Sequence, residues 1–253
     1  MKKSSYIGPS ISRYQFEGLK NKGWIVEYAK EIYKRRPNIV ALMELDIGGR
    51  FQKVVVKSFG WRDAKSPFIS PFKKSRAEMA WDATHLLLDV GLPVPKPVAV
   101  YTARQAGFID HNLFITEYIG KHQKSSRFLE NEIVDFAHKR DVVMKIAEIV
   151  SATHKAGFLH HDFVKDNFLI SDVNHHSVFL VDLTIIEQKK KMTIEDRMED
   201  IAKLDLCKCN LDHDHEDCLW LYFILSYDSD NAQNILIQLK KSIQKHQKKQ
   251  KIS

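Results

Sequence analysis

The segment His160-His161-Asp162-Phe163-Val164-Lys165-Asp166-Asn167 places an Asp and an Asn five residues apart in a short polar loop. An apolar β-type run follows, Val178-Phe179-Leu180-Val181, and it ends at a second acid, Asp182. Phosphotransfer to a hydroxyl needs few protein groups. One Asp must orient and deprotonate the acceptor, and hard oxygen ligands must hold Mg²⁺ against the phosphates of ATP. Asp162 fits the first role, and Asn167 with Asp182 fits the second, with Mn²⁺ as the alternative ion. The bland alternative is a polar hairpin whose Asp and Asn make only side-chain-to-backbone turn bonds. That reading leaves the order of features upstream unexplained.

Those features are the elements that would position the loop. Phe51–Phe59 is rich in β-branched residues and reads as a strand, with Gly48-Gly49 as the turn before it. Lys57 near its end is placed to reach the α- and β-phosphates. Ser75–Leu88 has helical spacing, with Ala77, Trp81, Thr84 and Leu88 on one face and Gly91 and Pro93 as stops. Glu78 on this helix has two readings: an ion-pair partner that aims Lys57, or half of the capping box Ser75-x-x-Glu78. Phe114–Ile119 reads as a strand running into a connection, where backbone groups of Glu117 and Tyr118 would meet adenine. Asp141–His154 is a buried helix stopped by Gly157, and it would support the loop of Asp162. His154 at its end packs or caps rather than acting in catalysis.

Taken together, the run from about Val54 to Asp205 resembles the bacterial lipopolysaccharide core kinases, which phosphorylate Kdo or heptose residues of the inner core. The matching pieces are Val56-Lys57-Ser58-Phe59-Gly60-Trp61, Arg76-Ala77-Glu78, Gly91-Leu92-Pro93-Val94-Pro95 and Phe114-Ile115-Thr116-Glu117-Tyr118-Ile119. The loop of Asp162, Val181-Asp182 and Arg197–Leu204 complete them. The resemblance implies an α+β, bilobal protein-kinase-like fold with a small β-rich N-lobe and a mainly helical C-lobe. It also implies ATP-dependent phosphorylation of a sugar hydroxyl on a glycolipid, lipid A carrying its inner-core sugar. One kinase-like unit would fill residues 1–253, with 20–117 as the N-lobe, 118–235 as the C-lobe and 236–253 as a basic tail.

Departures from protein kinases narrow this reading. Thr184 stands where their Asp-Phe-Gly motif has Gly, no Ala-Pro-Glu follows, and the chain after Asp182 is short for a peptide-docking lobe. Lys165, the catalytic-loop lysine, lies three residues after Asp162 rather than two. No Gly-x-Gly-x-x-Gly occurs. The basic turn Lys34-Arg35-Arg36-Pro37-Asn38 is the substitute, Arg35 and Arg36 offering side-chain charge to phosphates where glycines would offer backbone N–H groups. A solvated charge run is the alternative for this turn. A small Ser/Thr protein kinase, another small-molecule kinase, or a nucleotide-binding pseudokinase that docks a partner or membrane are the competing functions.

Composition fits an ordinary globular protein, 44% hydrophobic and 28% charged, with no apolar run of membrane-spanning length and no apolar signal segment. Three cysteines do not form a disulfide framework, and reduced thiols with ATP chemistry place the chain in the cytoplasm, peripheral on the inner membrane in one reading. Cys207, Cys209, His213, His215 and Cys218 cluster closely, but Cys-x-Cys and His-x-His are not the usual structural-zinc spacings, so zinc is not expected there. The net charge of +7 comes largely from Lys189-Lys190-Lys191 and the tail after Leu239. Without a stacking aromatic platform, no nucleic acid is expected. The tail reads either as an amphipathic helix on an anionic membrane or as a frayed, solvated end.

Overall fold

Alternating burial along Ile39–Ile47 (β3) and Arg50–Ser58 (β4) builds an antiparallel hairpin. Its two-residue turn is Gly48-Gly49, with φ of 60° and 81°, a region that glycine enters without steric cost. The computed structural model describes residues 2–60, 73–106, 108–172, 177–207, 209, 211 and 217–250. The chain forms two units, Met1–Leu86 with Pro95–Ile119, and Leu87–Val94 with Gly120–Ser253.

In the first unit the hairpin lies within a six-stranded antiparallel sheet. The others are β1 (Lys2–Ile7), β2 (Glu31–Lys34), β5 (Pro97–Gln105) and β6 (Phe108–Glu117), in the order β1-β5-β6-β4-β3-β2. Val54 and Val56 of β4 are buried on one face, with Met43, Leu45, Leu113 and Ile115. Leu19 of α1 (Arg13–Leu19) and Ile25 of α2 (Lys22–Tyr28) belong to the same cluster. The strand period of two therefore turns Lys57 to the opposite face. There its register partner Phe114 packs with Phe59, Val100, Ala77 and Ala80, the last two from α3 (Arg76–Asp89).

The second unit is mainly helical. Asp135 caps α5 (Phe136–Lys155) by accepting from the His138 N–H at 2.9 Å, and Gly157 at φ 84° ends it. The buried stripe Val142, Val143, Ile146, Ile149 and Val150 is the one its spacing predicts. It packs on α7 (Leu219–Asp228), which contributes Trp220, Phe223 and Tyr227 to the interior. Short strands β7 (His122–Lys124), β9 (Phe168–Ser171) and β10 (Ser177–Leu180) form one small sheet, and β8 (Phe158–Leu159) with β11 (Glu187–Gln188) another. Between and after them lie α4 (Ser125–Leu129), α6 (Ile194–Ile201) and α8 (Ala232–Gln250).

The basic stretch up to Gln250 is the continuation of α8. Ile235 and Leu239 are fully buried, α8 packs along α6 and α7, and Lys245 pairs with Glu199. Over its described residues it is a docked helix rather than a frayed end. Among the described residues, no helix is long and apolar enough to cross a membrane.

Candidate active site

The loop that carries Asp162 is tied down at both ends by backbone pairing. β8 pairs with β11 in the register Glu187 to Leu159, and the Lys189 N–H donates to the Gly157 carbonyl at 2.8 Å. His161 then takes φ 62°, a left-handed conformation that His tolerates better than most residues. The Val164 N–H donates to the Asp162 carbonyl at 2.8 Å, and the Asn167 N–H to the Val164 carbonyl at 3.0 Å. Asn167 Nδ2 closes the loop by donating to the Asp162 carbonyl at 2.9 Å, with Asp162 Oδ2 at 3.4 Å. That bond fixes the orientation of the amide, so Oδ1 is the atom Asn167 has left to offer as a ligand.

Asp182 reaches the same place through the β9–β10 hairpin. The two strands pair from Ser171–Ser177 to Phe168–Leu180, and the Val181 N–H extends the ladder to the Asn167 carbonyl at 2.9 Å. The Leu180 N–H is held by the Pro93 carbonyl at 2.9 Å. Asp182 then adopts φ 63° and accepts from Thr184 Oγ1 at 3.1 Å. Asp162, Asn167 and Asp182 are thus brought together within one unit. The amide oxygen and the carboxylate form an all-oxygen donor set, which suits a hard cation of the Mg²⁺ or Mn²⁺ type.

Beneath the loop lies a residue that is not among the expected site residues. Asp200 of α6 is 4% exposed. Its Oδ2 accepts from the His160 N–H and its Oδ1 from the His161 N–H, both at 2.7 Å. His154 Nε2 lies 3.2 Å from Oδ2, and His154 Nδ1 lies 2.8 Å from the Tyr227 hydroxyl. One direction satisfies every group: Tyr227 O–H donates to Nδ1, and Nε2–H donates to Asp200. His154 therefore joins α5, α6 and α7 through polar bonds, a role beyond packing or capping. The sequence signal for Asp200 was its place within Arg197–Leu204, one of the pieces that carry the family resemblance. His160 is also fully buried and stacks on Phe163 at 4.7 Å, which stacks in turn on Phe168 at 5.8 Å. The backbone of Val181 lies against the His160 ring.

The flanks of the loop are ionic. Lys165 Nζ, the expected catalytic lysine, donates to Glu130 at 2.9 Å and lies 3.9 Å from Asp205. Asp166 accepts from Lys124 and Ser126, both at 2.5 Å, and the Lys124 bond holds its carboxyl below the usual range.

The remaining expected residues lie in the first unit. Lys57 Nζ stands 5.3 Å from the Phe59 ring centre, and the Arg76 guanidinium stands 4.7 Å from the same ring. Arg76 also donates to Asn38 Oδ1 at 3.1 Å, which accepts from the Gly60 N–H at 3.2 Å as well. These bonds anchor the foot of the basic turn of Arg35 and Arg36. Gly60 is required there, because a Cβ would lie 2.1 Å from the Pro37 carbonyl oxygen. Glu78 makes the capping box in full, accepting from the Ser75 N–H at 2.6 Å while Ser75 Oγ accepts from the Glu78 N–H at 3.1 Å. Arg104 donates to the same carboxylate at 3.1 Å. The Glu117 N–H is engaged by the Lys96 carbonyl at 2.9 Å and the Tyr118 N–H by the Lys53 carbonyl at 3.4 Å.

Of the cysteine and histidine cluster, Cys207, Cys209 and Cys218 are placed close together, while His213 and His215 lie outside the described residues. Burial pushes the thiols of Cys207 and Cys218 up, that of Cys218 to about 12.

Two tests follow from the buried network. Asp200→Ala leaves the His160 and His161 N–H groups without their acceptor, each worth about 1–3 kcal/mol when buried. We expect a lower unfolding midpoint and a fall in kcat of tenfold or more, with ATP affinity little changed. Asp200→Asn, which keeps one acceptor oxygen, should lose less, and equal kcat in Asp200→Ala and the parent would remove the positioning role. The second test is pH. Burial lowers the affinity of His154 and His160 for protons, so the unfolded chain, with His near 6.5, binds protons that the folded chain refuses. Stability is therefore full above about pH 6.5 and declines as pH falls below it. Thermal melts between pH 7.5 and pH 5.5 (roughly one unit either side of that value) should show the decline, and His160→Phe should flatten it.

No curated protein matches the chain at a significant level. Among solved structures, one described as WaaP in complex with acyl carrier protein is similar, with a TM-score of 0.59 at 18% identity. The match covers 94% of this chain and 99% of that one, and it shows a shared protein-kinase-like fold. The model of the lipopolysaccharide kinase (Kdo/WaaP) family matches residues 29–212, which span the basic turn, Lys57, the Asp162 loop, Asp182 and Asp200. The match takes in well over half of the sequence, so the chain belongs to the lipopolysaccharide kinase (Kdo/WaaP) family and is a kinase phosphotransferase.

Proposed function

We propose that this kinase transfers the γ-phosphoryl group of ATP to a hydroxyl of Kdo or heptose in the lipopolysaccharide inner core. The observation that carries the reading is the bond of Asn167 Nδ2 to Asp162, in the same loop whose carbonyl holds Val181. One small hydrogen-bonded unit thereby sets an acceptor-facing carboxylate beside two oxygen ligands.

In this reading Asp162 orients the sugar hydroxyl and takes its proton as the bond to phosphorus forms. Asn167 Oδ1 and the Asp182 carboxylate hold Mg²⁺, whose charge, when bound, neutralises the phosphate oxygens. Lys57 adds a cation toward the phosphates, and Arg35 and Arg36 cover them from the β2–β3 turn. Glu78 acts by holding the start of α3 rigid through its capping box. Glu117 and Tyr118 line the adenine end, through groups other than the N–H bonds already made within the sheet. Lys165, paired with Glu130, steadies the loop and meets the γ-phosphate only by leaving that pair. Catalysis then rests on positioning and charge neutralisation.

The acceptor is a glycolipid, so the enzyme works at the cytoplasmic surface of the inner membrane. With Ile235 and Leu239 buried, the part of α8 left for an anionic surface is its lysine-bearing side, including exposed Lys241 and Lys248. Contact there is electrostatic rather than by insertion of an apolar face.

Two experiments test these assignments. In the first, Asp162→Ala should abolish phosphate transfer to purified inner-core acceptor while ATP binding stays near that of the parent. Asp182→Asn in the same assay should instead weaken Mg²⁺–ATP binding, read by calorimetry. Turnover by Asp162→Ala, or unchanged Mg²⁺–ATP affinity in Asp182→Asn, would place these roles elsewhere. In the second, Lys241→Gln with Lys248→Gln should raise KM several-fold for acceptor in anionic vesicles, since each lysine contributes about 1 kcal/mol at most. Added salt should erase the difference, and a soluble delipidated acceptor should show none. Equal KM on vesicles would leave α8 without a membrane role.

A further inference from the structure

The chain joining α6 to α7 brings three sulfur atoms to one point. Cys207 and Cys209 are half-buried in that connection, and Cys218, fully buried, is the residue before α7. Their Sγ atoms all lie within 4.8 Å of one another, with Cys209 and Cys218 3.4 Å apart. None of the three is in a disulfide.

We propose that Cys207, Cys209 and Cys218 form a thiolate site for one soft divalent cation, of which Zn²⁺ is the type. Zinc bound by sulfur at about 2.3 Å in a tetrahedron sets its ligand atoms about 3.8 Å apart, and the trio, with one pair at 3.4 Å and all three within 4.8 Å, is close enough to close on such an ion. A disulfide would need about 2.05 Å. Thiols hydrogen-bond weakly, so sulfur–hydrogen contacts alone are a poor reason for three of them to converge on a partly dry site. The Cys209 N–H donates to Cys207 Sγ at 3.4 Å, an outer-shell bond of the kind that stabilises a ligating sulfur. On binding, each thiol releases its proton to solvent, and nothing is oxidised or reduced.

Sequence spacing argued against zinc here, because Cys-x-Cys is not the usual ligand pair. The fold overrides spacing by bringing the Cys209 and Cys218 sulfurs together at the head of α7. Two half-buried sulfurs leave the fourth position open to water or a further donor. Soft sulfur ligands discriminate against Mg²⁺, so the site is chemically separate from the oxygen donors at Asp182. Its role would be structural, pinning the α6–α7 connection in the unit that holds Asp200.

The test uses the full chain, purified without chelator and kept reduced. Elemental analysis should find close to one zinc per chain. After the metal is stripped, added Co²⁺ should produce the near-ultraviolet band of thiolate-to-cobalt charge transfer, and added Zn²⁺ should remove it. Cys207→Ser and Cys209→Ser should each lose stoichiometric zinc, while circular dichroism confirms that they fold. Cys218→Ser puts a hydroxyl in a dry place and can fail to fold, so the cobalt titration of the unaltered chain decides the matter. Absence of that band, or a Cys209–Cys218 disulfide in freshly isolated protein, would overturn the proposal.

Discussion

A single buried carboxylate, Asp200, organises the helical unit of this protein. A carboxylate out of water is costly unless its oxygens are satisfied, and here both are. The donors it gathers are the N–H groups of His160 and His161 and the ring of His154. The backbone immediately before Asp162 is thereby fixed from below. Because His154 also meets Tyr227, the same network joins three helices that apolar packing alone would leave free to slide.

The strained points of the site fall where this anchoring is strongest. His161 and Asp182 both occupy left-handed backbone conformations, which cost on the order of 1–3 kcal/mol each for residues with a Cβ. His161 is held by Asp200 through its N–H, by Lys203 through its carbonyl and by Glu187 through its ring. Asp182 is held by the ladder bond of Val181 and by Thr184.

The first unit solves a different problem, that of exposing cations from a packed sheet. Lys57 is on the α3 face of β4 because Val54 and Val56 occupy the other. Phe59 lies against both Lys57 and Arg76, so one ring steadies two cations. Asn38 and Gly60 fasten the foot of the basic turn, where a larger residue at position 60 would collide with the Pro37 carbonyl.

Much of this was legible in the sequence, because local periodicity and turn chemistry decide strands and helices over short range. The β4 strand, its Gly48-Gly49 turn, the α5 helix and the apolar strand that ends at Asp182 all follow from spacing that tertiary contacts do not have to enforce. The order of Lys57, Asp162, Asn167 and Asp182 was likewise a property of the chain. Other features depended on which distant atoms meet. Glu78 had two sequence readings, and the fold shows its carboxylate on the Ser75 N–H and on Arg104, a residue 26 positions away. Asp200 lay in a recognisable stretch, but its partners are set only when α6 packs beneath a loop 40 residues upstream. The three cysteines were an unusual spacing until the fold placed their sulfurs side by side. A sequence states which groups are available and what local backbone they favour. Which of them lose water together, and so which must pair, is settled only when the interior closes.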